Sequence, residues 1–192
     1  MSIINIFKKI IQKRPNENDY GINLSIPSLK KFLTYLPPNP MILNVGCGIG
    51  QDSKFLKENG CYVLGVDSSK EMINRAKVYA PEVKFELQDF MKLEPSVKYD
   101  AIWCSRVFHH MVNIGPEKFF GQAKNLLKEK GVLYLTSVAS DTERGEIIKN
   151  NLVIRGLTEN SFKSMVMENG FEILDFNYWD DRKGMEIFAR VK

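Results

Sequence analysis

The stretch MILNVGCGIG, residues 41–50, joins an apolar run of strand type directly to the pattern GxGxG. Glycine adopts backbone conformations closed to other residues and lets a ligand lie close to the chain. The segment 51–59 that follows is predicted to be a helix, whose free N–H groups and positive dipole end favour an anion. A glycine pattern alone leaves two interpretations open, a ligand-binding loop and a purely structural tight turn.

Two acidic residues favour the ligand-binding loop. The apolar run 63–66 ends in Asp67, about 20 residues after the glycines, where a carboxylate can accept both hydroxyls of a ribose. Asp89 ends the next predicted strand, so the glycines and both aspartates should share the carboxyl edge of a parallel sheet. Either aspartate alone could instead cap a helix or a turn. Their common placement favours a nucleoside ligand.

The spacing of the glycines separates two kinds of nucleoside cofactor. A dinucleotide site prefers GxGxxG, whose last glycine would stand at Gln51 here, and it has to neutralise a pyrophosphate at the helix start. S-adenosylmethionine carries ribose and adenine but no phosphate, and its own carboxylate can use the helix terminus. The pattern GxGxG therefore favours S-adenosylmethionine over NAD and disfavours an oxidoreductase.

Short β-type runs alternate with helical ones from Met41 onward, which predicts an α/β fold with a mostly parallel sheet. The last two predicted strands flank the polar stretch 180–184, which permits an antiparallel hairpin at that end of the chain. The capping-box spacing of Ser68 and Glu71 predicts the start of one helix. The predicted strands are 41–45, 61–66, 83–88, 99–104, 131–138, 171–178 and 185–191, and the predicted helices among them are 51–59, 69–79, 116–128 and 159–169.

Composition excludes several classes of protein. The 192 residues are enough for one ordinary domain, and 44% apolar with 26% charged residues excludes a disordered chain. The net charge of +4 and the pI of 8.8 are lower than is usual for nucleic-acid-binding proteins, which also carry their basic residues in a cluster. Nucleic acid is therefore not an expected partner. No apolar run approaches the roughly 20 residues that span a bilayer, so no membrane is expected either. Three cysteines in apolar runs, without metal-ligand spacing, predict reduced thiols and a cytoplasmic protein.

Five motifs, in their order and spacing, resemble those of class I S-adenosylmethionine-dependent methyltransferases. They are NVGCGIG, LGVDSSKEM, LQDF, KYDAIWCSRVFHHM and KGVLYLTS. The resemblance covers residues 41–138 strongly and the rest in outline, and GIGQDSKFLKENG is similar to the small-molecule methyltransferases of the tellurite-resistance and thiopurine type. It implies a Rossmann-like, seven-stranded, mostly parallel sheet in the order 3-2-1-4-5-7-6, with strand 7 antiparallel and helices on both faces. It also implies S-adenosylmethionine as the cofactor and S-adenosylhomocysteine as its product.

The resemblance further implies which residues hold this cofactor. The glycine loop lines the methionine part, Asp67 takes the ribose, and Asp89 with Phe90 holds the adenine. Asn44 stands where the family usually has an acid, so its carbonyl can accept the ammonium of the methionine part without the charge attraction. The full implied set is Asn44, Gly46, Cys47, Gly48, Gly50, Asp67, Ser68, Met72, Gln88, Asp89, Phe90 and Ser105, the last near the sulfonium.

Fewer residues are implicated in the chemistry itself. Methyl transfer from a sulfonium is an in-line displacement, for which a protein mainly positions the partners and excludes water. His109 and His110 follow the fourth predicted strand and are candidate catalytic bases, although a histidine at a helix start is commonly structural. Tyr20, Arg106 and His110 are candidate acceptor-binding residues, with Arg106 suited to an acidic acceptor.

Two segments could cover the acceptor, residues 1–36 and the short polar insert 139–157. Residues 1–36 contain a basic amphipathic helix at 3–14 and a second helix over Ser28 to Leu36; we expect them to form a cover, the alternative being simple packing on an apolar flank. The predicted organisation is one methyltransferase domain, 1–192, with this cover, a cofactor core at 41–138, and 139–192 completing the sheet. So little covering material favours a small-molecule acceptor. The alternatives are an RNA- or protein-directed methyltransferase and a non-catalytic S-adenosylmethionine-binding scaffold, and the oligomeric state stays open.

Overall fold

Strands and helices alternate along the described part of the chain, which in this computed structural model comprises residues 22–94, 96–108, 115–142, 146–149, 152–179 and 183–192. The helices are α1 (Ile22–Leu33), α2 (Gln51–Glu58), α3 (Lys70–Tyr79), α4 (Pro116–Leu126) and α5 (Glu159–Glu168). The strands are β1 (Met41–Val45), β2 (Tyr62–Asp67), β3 (Lys84–Leu87), β4 (Tyr99–Cys104), β5 (Leu127–Val138), β6 (Glu146–Lys149), β7 (Leu152–Arg155), β8 (Phe171–Trp179) and β9 (Gly184–Val191). A short 3-10 helix, Phe90–Lys92, lies between β3 and β4.

Seven strands form one sheet in the order β3-β2-β1-β4-β5-β9-β8. Strands β1 to β5 pair in parallel with their neighbours, whereas β9 is antiparallel to both β5 and β8. The predicted order 3-2-1-4-5-7-6 with an antiparallel last strand is confirmed, because β8 and β9 are the sixth and seventh strands of this sheet. The parallel strands all end at one side of it, which we call the carboxyl edge.

Helices cover both faces of the sheet. On one face α4 and α5 contribute the buried side chains of Phe119, Phe120 and Phe162 to the larger core. On the other face α1 and α2 contribute Phe32 and Leu56 to a second core. The central strands are apolar on both faces, as expected of a parallel sheet buried on both sides. The carboxyl edge is thus a rigid rim on which loops can hold polar groups.

Helix α1 differs from its predicted bounds. It ends at Leu33 rather than Leu36, because the N–H groups of residues 34–36 bond to carbonyls three residues back in a tighter turn. It begins at Ile22, six residues before the predicted Ser28, and includes Pro27. The prolines at 37 and 38 therefore follow a turn and not the helix itself.

Two further local predictions were wrong or incomplete. Ser69, and not Ser68, caps α3, since its Oγ accepts from the Met72 N–H at 3.3 Å. The cap lies one residue later because Asp67 already accepts from the Ser69 N–H and holds the chain in a turn. The insert 139–157, expected as a short polar cover, contains an antiparallel two-stranded sheet of β6 and β7 that the sequence analysis did not predict.

Candidate active site

The glycine loop lies between β1 and α2 at the carboxyl edge. Gly46, Gly48 and Gly50 all have a positive φ, a conformation that other residues rarely adopt. A Cβ at Gly50 would lie 2.7 Å from the Phe85 ring, so this glycine also allows close packing of the loop. At Gly48 a Cβ would meet nothing within 4 Å. The space beside Gly48 is therefore open, as a loop that holds a ligand requires.

Asp67 joins this loop to the next helix. Its Oδ2 accepts from the Gly48 N–H at 3.0 Å, and its Oδ1 accepts from the Ser69 N–H at 2.8 Å. Burial raises the pKa of the Asp67 carboxyl, and the backbone N–H groups of Ser69, Gly48 and Ser68 oppose that rise. Each oxygen makes one of these two bonds, and a carboxylate oxygen has two lone pairs. The group is thus fixed in orientation and can accept further donors from the open side.

The neighbouring predicted residues occupy more closed positions. Asn44 is 2% exposed and donates from Nδ2 to the Ser53 Oγ at 2.8 Å, so its amide group is committed to α2. Cys47 and Met72 are also buried, and burial raises the pKa of the Cys47 thiol. Of these groups, the Asn44 carbonyl keeps the capacity to accept from a cationic ligand.

The second predicted acid, Asp89, is exposed just beyond β3. Its Oδ1 accepts from the Met91 N–H at 3.0 Å and caps the 3-10 helix. Phe90 is buried, with its ring 5.2 Å from that of Phe119, and therefore belongs to the core. Gln88 is exposed next to them. The structure brings the glycine loop and Asp67 into direct contact, while Asp89 lies at the end of the neighbouring strand; their ligand roles stay predictions.

A polar cluster that the sequence analysis missed lies beyond β4 on the face covered by α1. The Glu186 carboxylate on β9 accepts from Ser28 Oγ at 2.6 Å, from the Tyr134 hydroxyl at 2.7 Å and from Asn177 Nδ2 at 3.2 Å. Burial, with the nearby Glu186 charge, raises the pKa of Tyr134 well above its usual value. The signal available in the sequence was an acid inside the apolar strand GMEIFARV. It was not recognised because its partners are distant in the chain.

This cluster borders a small cavity that includes two of the predicted residues, Ser105 and Arg106. Arg106 has a φ of 58°, and its N–H donates to Thr136 Oγ1 at 2.6 Å, which fixes the turn after β4. The cavity has a volume of about 20 Å³ and is lined by Ser28, Ser105, Arg106, Tyr134, Thr136, Trp179 and Glu186. A larger cavity of about 640 Å³ lies near the opposite ends of the strands and includes only Gln88 of the predicted site residues.

The remaining predicted site residues are Tyr20, His109 and His110, and all three lie outside the described residues. Within the described ranges, no group of three or more His, Cys, Asp or Glu side chains could hold a metal ion. The cysteines Cys47, Cys61 and Cys104 are buried free thiols. None of the helices described here is long and apolar enough to cross a membrane.

The sheet order, the glycine loop and the aspartate that ends β2 define the class I S-adenosylmethionine-dependent methyltransferase fold. The sequence profile of the family described as "Methyltransferase domain" matches residues 20–175, so the chain belongs to that family. It is 34% identical over 108 residues to 2-methyl-6-phytyl-1,4-hydroquinone methyltransferase from Synechocystis sp., covering 53% of this chain and 33% of the relative. It is 29% identical over 107 residues to ubiquinone biosynthesis O-methyltransferase from Glaesserella parasuis, covering 50% of this chain and 44% of the relative. The chain thus spans less than half the length of these curated relatives.

Solved structures share the fold. Burkholderia thailandensis 1,6-didemethyltoxoflavin-N1-methyltransferase, solved with 1,6-didemethyltoxoflavin and S-adenosylhomocysteine, superimposes with a TM-score of 0.76. The match covers 92% of this chain and 81% of that one at 17% sequence identity. A likeness at that identity shows the common architecture, and the chemistry has to be argued from the site itself.

Proposed function

We propose that this protein binds S-adenosylmethionine and transfers its methyl group to a small-molecule acceptor. The observation that carries the proposal is the Asp67 carboxylate, held by the Gly48 and Ser69 N–H groups beside the open space at Gly48. A fixed carboxylate at the end of the second strand fits the two hydroxyls of a ribose. Because Gln51 stands where the last glycine of a GxGxxG pattern would be, the loop fits a pyrophosphate less well.

The cofactor, when bound, supplies an activated methyl group as a sulfonium. The chain then has to bind and orient the cofactor and the acceptor and to exclude water. Asp67 would orient the ribose, Asp89 and the backbone at Phe90 would border the adenine, and the glycine loop with the Asn44 carbonyl would receive the methionine part. Ser105 follows β4 at the same edge of the sheet and lines the small cavity.

The acceptor is proposed to be small. The relatives named above act, by their names, on a hydroquinone or in ubiquinone biosynthesis, and the toxoflavin enzyme acts on a small heterocycle. His109 and His110 stay candidate bases for an acceptor that has to lose a proton, and Tyr20 and Arg106 stay candidate acceptor contacts. The cover at residues 1–36 and a cytoplasmic location are likewise predictions.

Calorimetric titration tests the cofactor assignment. We expect S-adenosylhomocysteine and S-adenosylmethionine to bind and NAD to give no heat. Tight binding of NAD without a response to S-adenosylmethionine would overturn the assignment.

A turnover screen then tests the reaction. Thiols, amines, phenols and carboxylates are offered as acceptors, and the formation of S-adenosylhomocysteine is measured. Product with one of these classes supports a small-molecule methyltransferase. Cofactor binding with no product from any of them, but with product from RNA or a protein substrate, would contradict it.

A further inference from the structure

The turn after β4 contains a residue other than glycine in the left-handed backbone conformation. Arg106, two residues beyond the end of β4, has a φ of 58°. Residues with a Cβ rarely adopt this conformation, and they keep it only where the surrounding structure fixes it. Such residues are frequent at functional sites. The turn therefore calls for an account of what holds it and of what it holds in turn.

A buried hydroxyl on the neighbouring strand holds the turn. Thr136 on β5 is 3% exposed, and its Oγ1 accepts from the Arg106 N–H at 2.6 Å. Strands β4 and β5 are parallel, with Cys104 opposite Leu135, so Thr136 stands beside the point where the chain leaves β4. Without this hydroxyl the Arg106 N–H would lose its partner, and the left-handed conformation would lose a support.

The far side of the turn packs on the glycine loop. A Cβ at Gly46 would come within 2.2 Å of a methyl carbon of Val107, so the Val107 side chain fills the space that a side chain at position 46 would need. The chain is fixed again directly after the turn, because the Phe108 ring is fully buried and lies 4.8 Å from that of Phe119. Residues 105–107 thus lie against the loop with a fixed residue on either side.

The strand order relates this contact to Asp67. Strand β1 lies between β2 and β4, so Asp67 at the end of β2 and the turn after β4 flank the glycine loop on opposite sides. In S-adenosylmethionine the sulfur lies between the ribose and the methionine chain. A cofactor whose ribose binds Asp67 and whose methionine part crosses the glycine loop would therefore carry its sulfonium towards the turn.

We propose that Thr136 is a positioning residue: its hydroxyl fixes the turn at residues 105–107, and the turn sets the place of the methyl group of bound S-adenosylmethionine. The inference rests on the proposed function and deepens it. Thr136 acts through the turn and makes no bond to the cofactor. Loss of its hydroxyl should thus displace the methyl group without releasing the ribose from Asp67. Displacements of about 1 Å are enough to slow a reaction that depends on alignment.

The bound methyl group itself is the probe. S-adenosylmethionine labelled with carbon-13 in its methyl group is bound to the protein, and the carbon and proton shifts of that group are measured by NMR. We expect Thr136→Val, which keeps the size but lacks the hydroxyl, to move the bound-methyl signal, and Thr136→Ser, which keeps the hydroxyl, to leave it in place. The Kd of S-adenosylhomocysteine, measured by calorimetry, should change less than the roughly 3- to 10-fold that a lost hydrogen bond to the ligand would give.

Thr158→Val is the matched control. Its Oγ1 likewise accepts a backbone N–H, that of Ser161 at 3.1 Å, but at the start of α5. This variant loses a threonine hydroxyl and a local hydrogen bond, as Thr136→Val does, and it should leave the bound-methyl signal unchanged.

Variants of Arg106 test the same role from the other side of the hydrogen bond. Glycine adopts a positive φ without strain, so Arg106→Gly should make the turn independent of the hydroxyl, whereas Arg106→Ala keeps the strain. Each is combined with Thr136→Val and compared with its own single variant, so that the loss of the guanidinium cancels. Adding Thr136→Val should move the methyl signal in Arg106→Ala and leave it in place in Arg106→Gly.

A further variant serves if Thr136→Val does not fold. Arg106→Val places a β-branched residue where φ is positive and leaves the hydroxyl intact, so it should move the methyl signal relative to Arg106→Gly. Equal signals in these two variants would contradict the proposal.

The remaining outcomes separate the two proposals. An unmoved methyl signal in folded Thr136→Val, an equal displacement in Thr136→Ser, or an equal displacement in Thr158→Val overturns the role of Thr136. If the wild type gives no bound-methyl signal and S-adenosylhomocysteine gives no heat, the proposed function itself is overturned.

Discussion

Replacing Asp67 with alanine tests the centre of the proposed cofactor site. The carboxylate is fixed by bonds of 3.0 and 2.8 Å from the Gly48 and Ser69 N–H groups, one to each oxygen. A ribose would add a hydroxyl donor to the free side of each oxygen. A hydrogen bond to a charged group contributes about 1.5–3 kcal/mol, and hydroxyls released from it regain water. We therefore expect Asp67→Ala to cost about 1.5–3 kcal/mol in total, or about 10- to 150-fold in Kd.

The assay is calorimetric titration with S-adenosylhomocysteine, and Asp100→Ala is the matched control. Asp100 also accepts from a backbone N–H, that of Met41 at 2.8 Å, but at the opposite edge of the sheet. Both variants should lose some stability from an unpaired N–H, whereas only Asp67→Ala should lose affinity. Equal Kd values for wild type and Asp67→Ala, or an equal loss in both variants, would refute the reasoning.

The pH dependence gives a second readout of the same residue. Because burial raises the pKa of Asp67, its carboxylate takes up a proton at a higher pH than a free aspartate with its pKa of about 3.9. Protonation removes the acceptor capacity that the ribose needs. Affinity in the wild type should therefore fall on acidification before pH 3.9 is reached, and Asp67→Ala should lack this part of the dependence.

Three further predictions concern other parts of the molecule. Asp89→Ala should weaken S-adenosylhomocysteine with an unchanged melting temperature, because its carboxylate is exposed and bonds only locally in the described structure; unchanged affinity with lost stability would return it to a purely structural cap. Tyr134→Phe should cost about 1–3 kcal/mol at neutral pH, since Glu186 loses a buried donor. Because the pKa of Tyr134 is raised in the folded state, the folded protein keeps a proton that the unfolded chain loses above about pH 10. The stability of the wild type should therefore fall above that pH, and the stability of Tyr134→Phe should fall less. Denaturation at several pH values measures both. Deleting residues 1–19 should reduce turnover more than cofactor affinity or melting temperature; a large loss of all three would contradict a cover.

Local patterns predicted the parts of the fold that local physics sets. The glycines, the strand that ends in Asp67 and the alternation of strands and helices are properties of short stretches, and the family resemblance supplied the strand order. The Ser28–Glu186 hydrogen bond joins residues 158 positions apart, and no periodicity indicates such a pair. The cluster around Glu186 could therefore be found only once β9 was placed beside β5.

Other misses have equally local causes. Asp67 takes the Ser69 N–H and moves the cap of α3 by one residue, a competition between side chains that the capping-box spacing does not show. The end of α1 moved because a 3-10 turn took over its last residues. The β6–β7 pair was missed because polarity alone was read as a loop.

The position of β9 in the sheet has a consequence for the order of folding. Strands β1 to β4 pair among themselves, whereas β8 joins the sheet only through β9, which follows it in the chain. During synthesis the glycine loop and Asp67 can thus be in place before the ribosome has released β9, while the polar cluster around Glu186 cannot. The half proposed to bind the nucleoside can therefore exist as a platform before the polar cluster around Glu186 is complete.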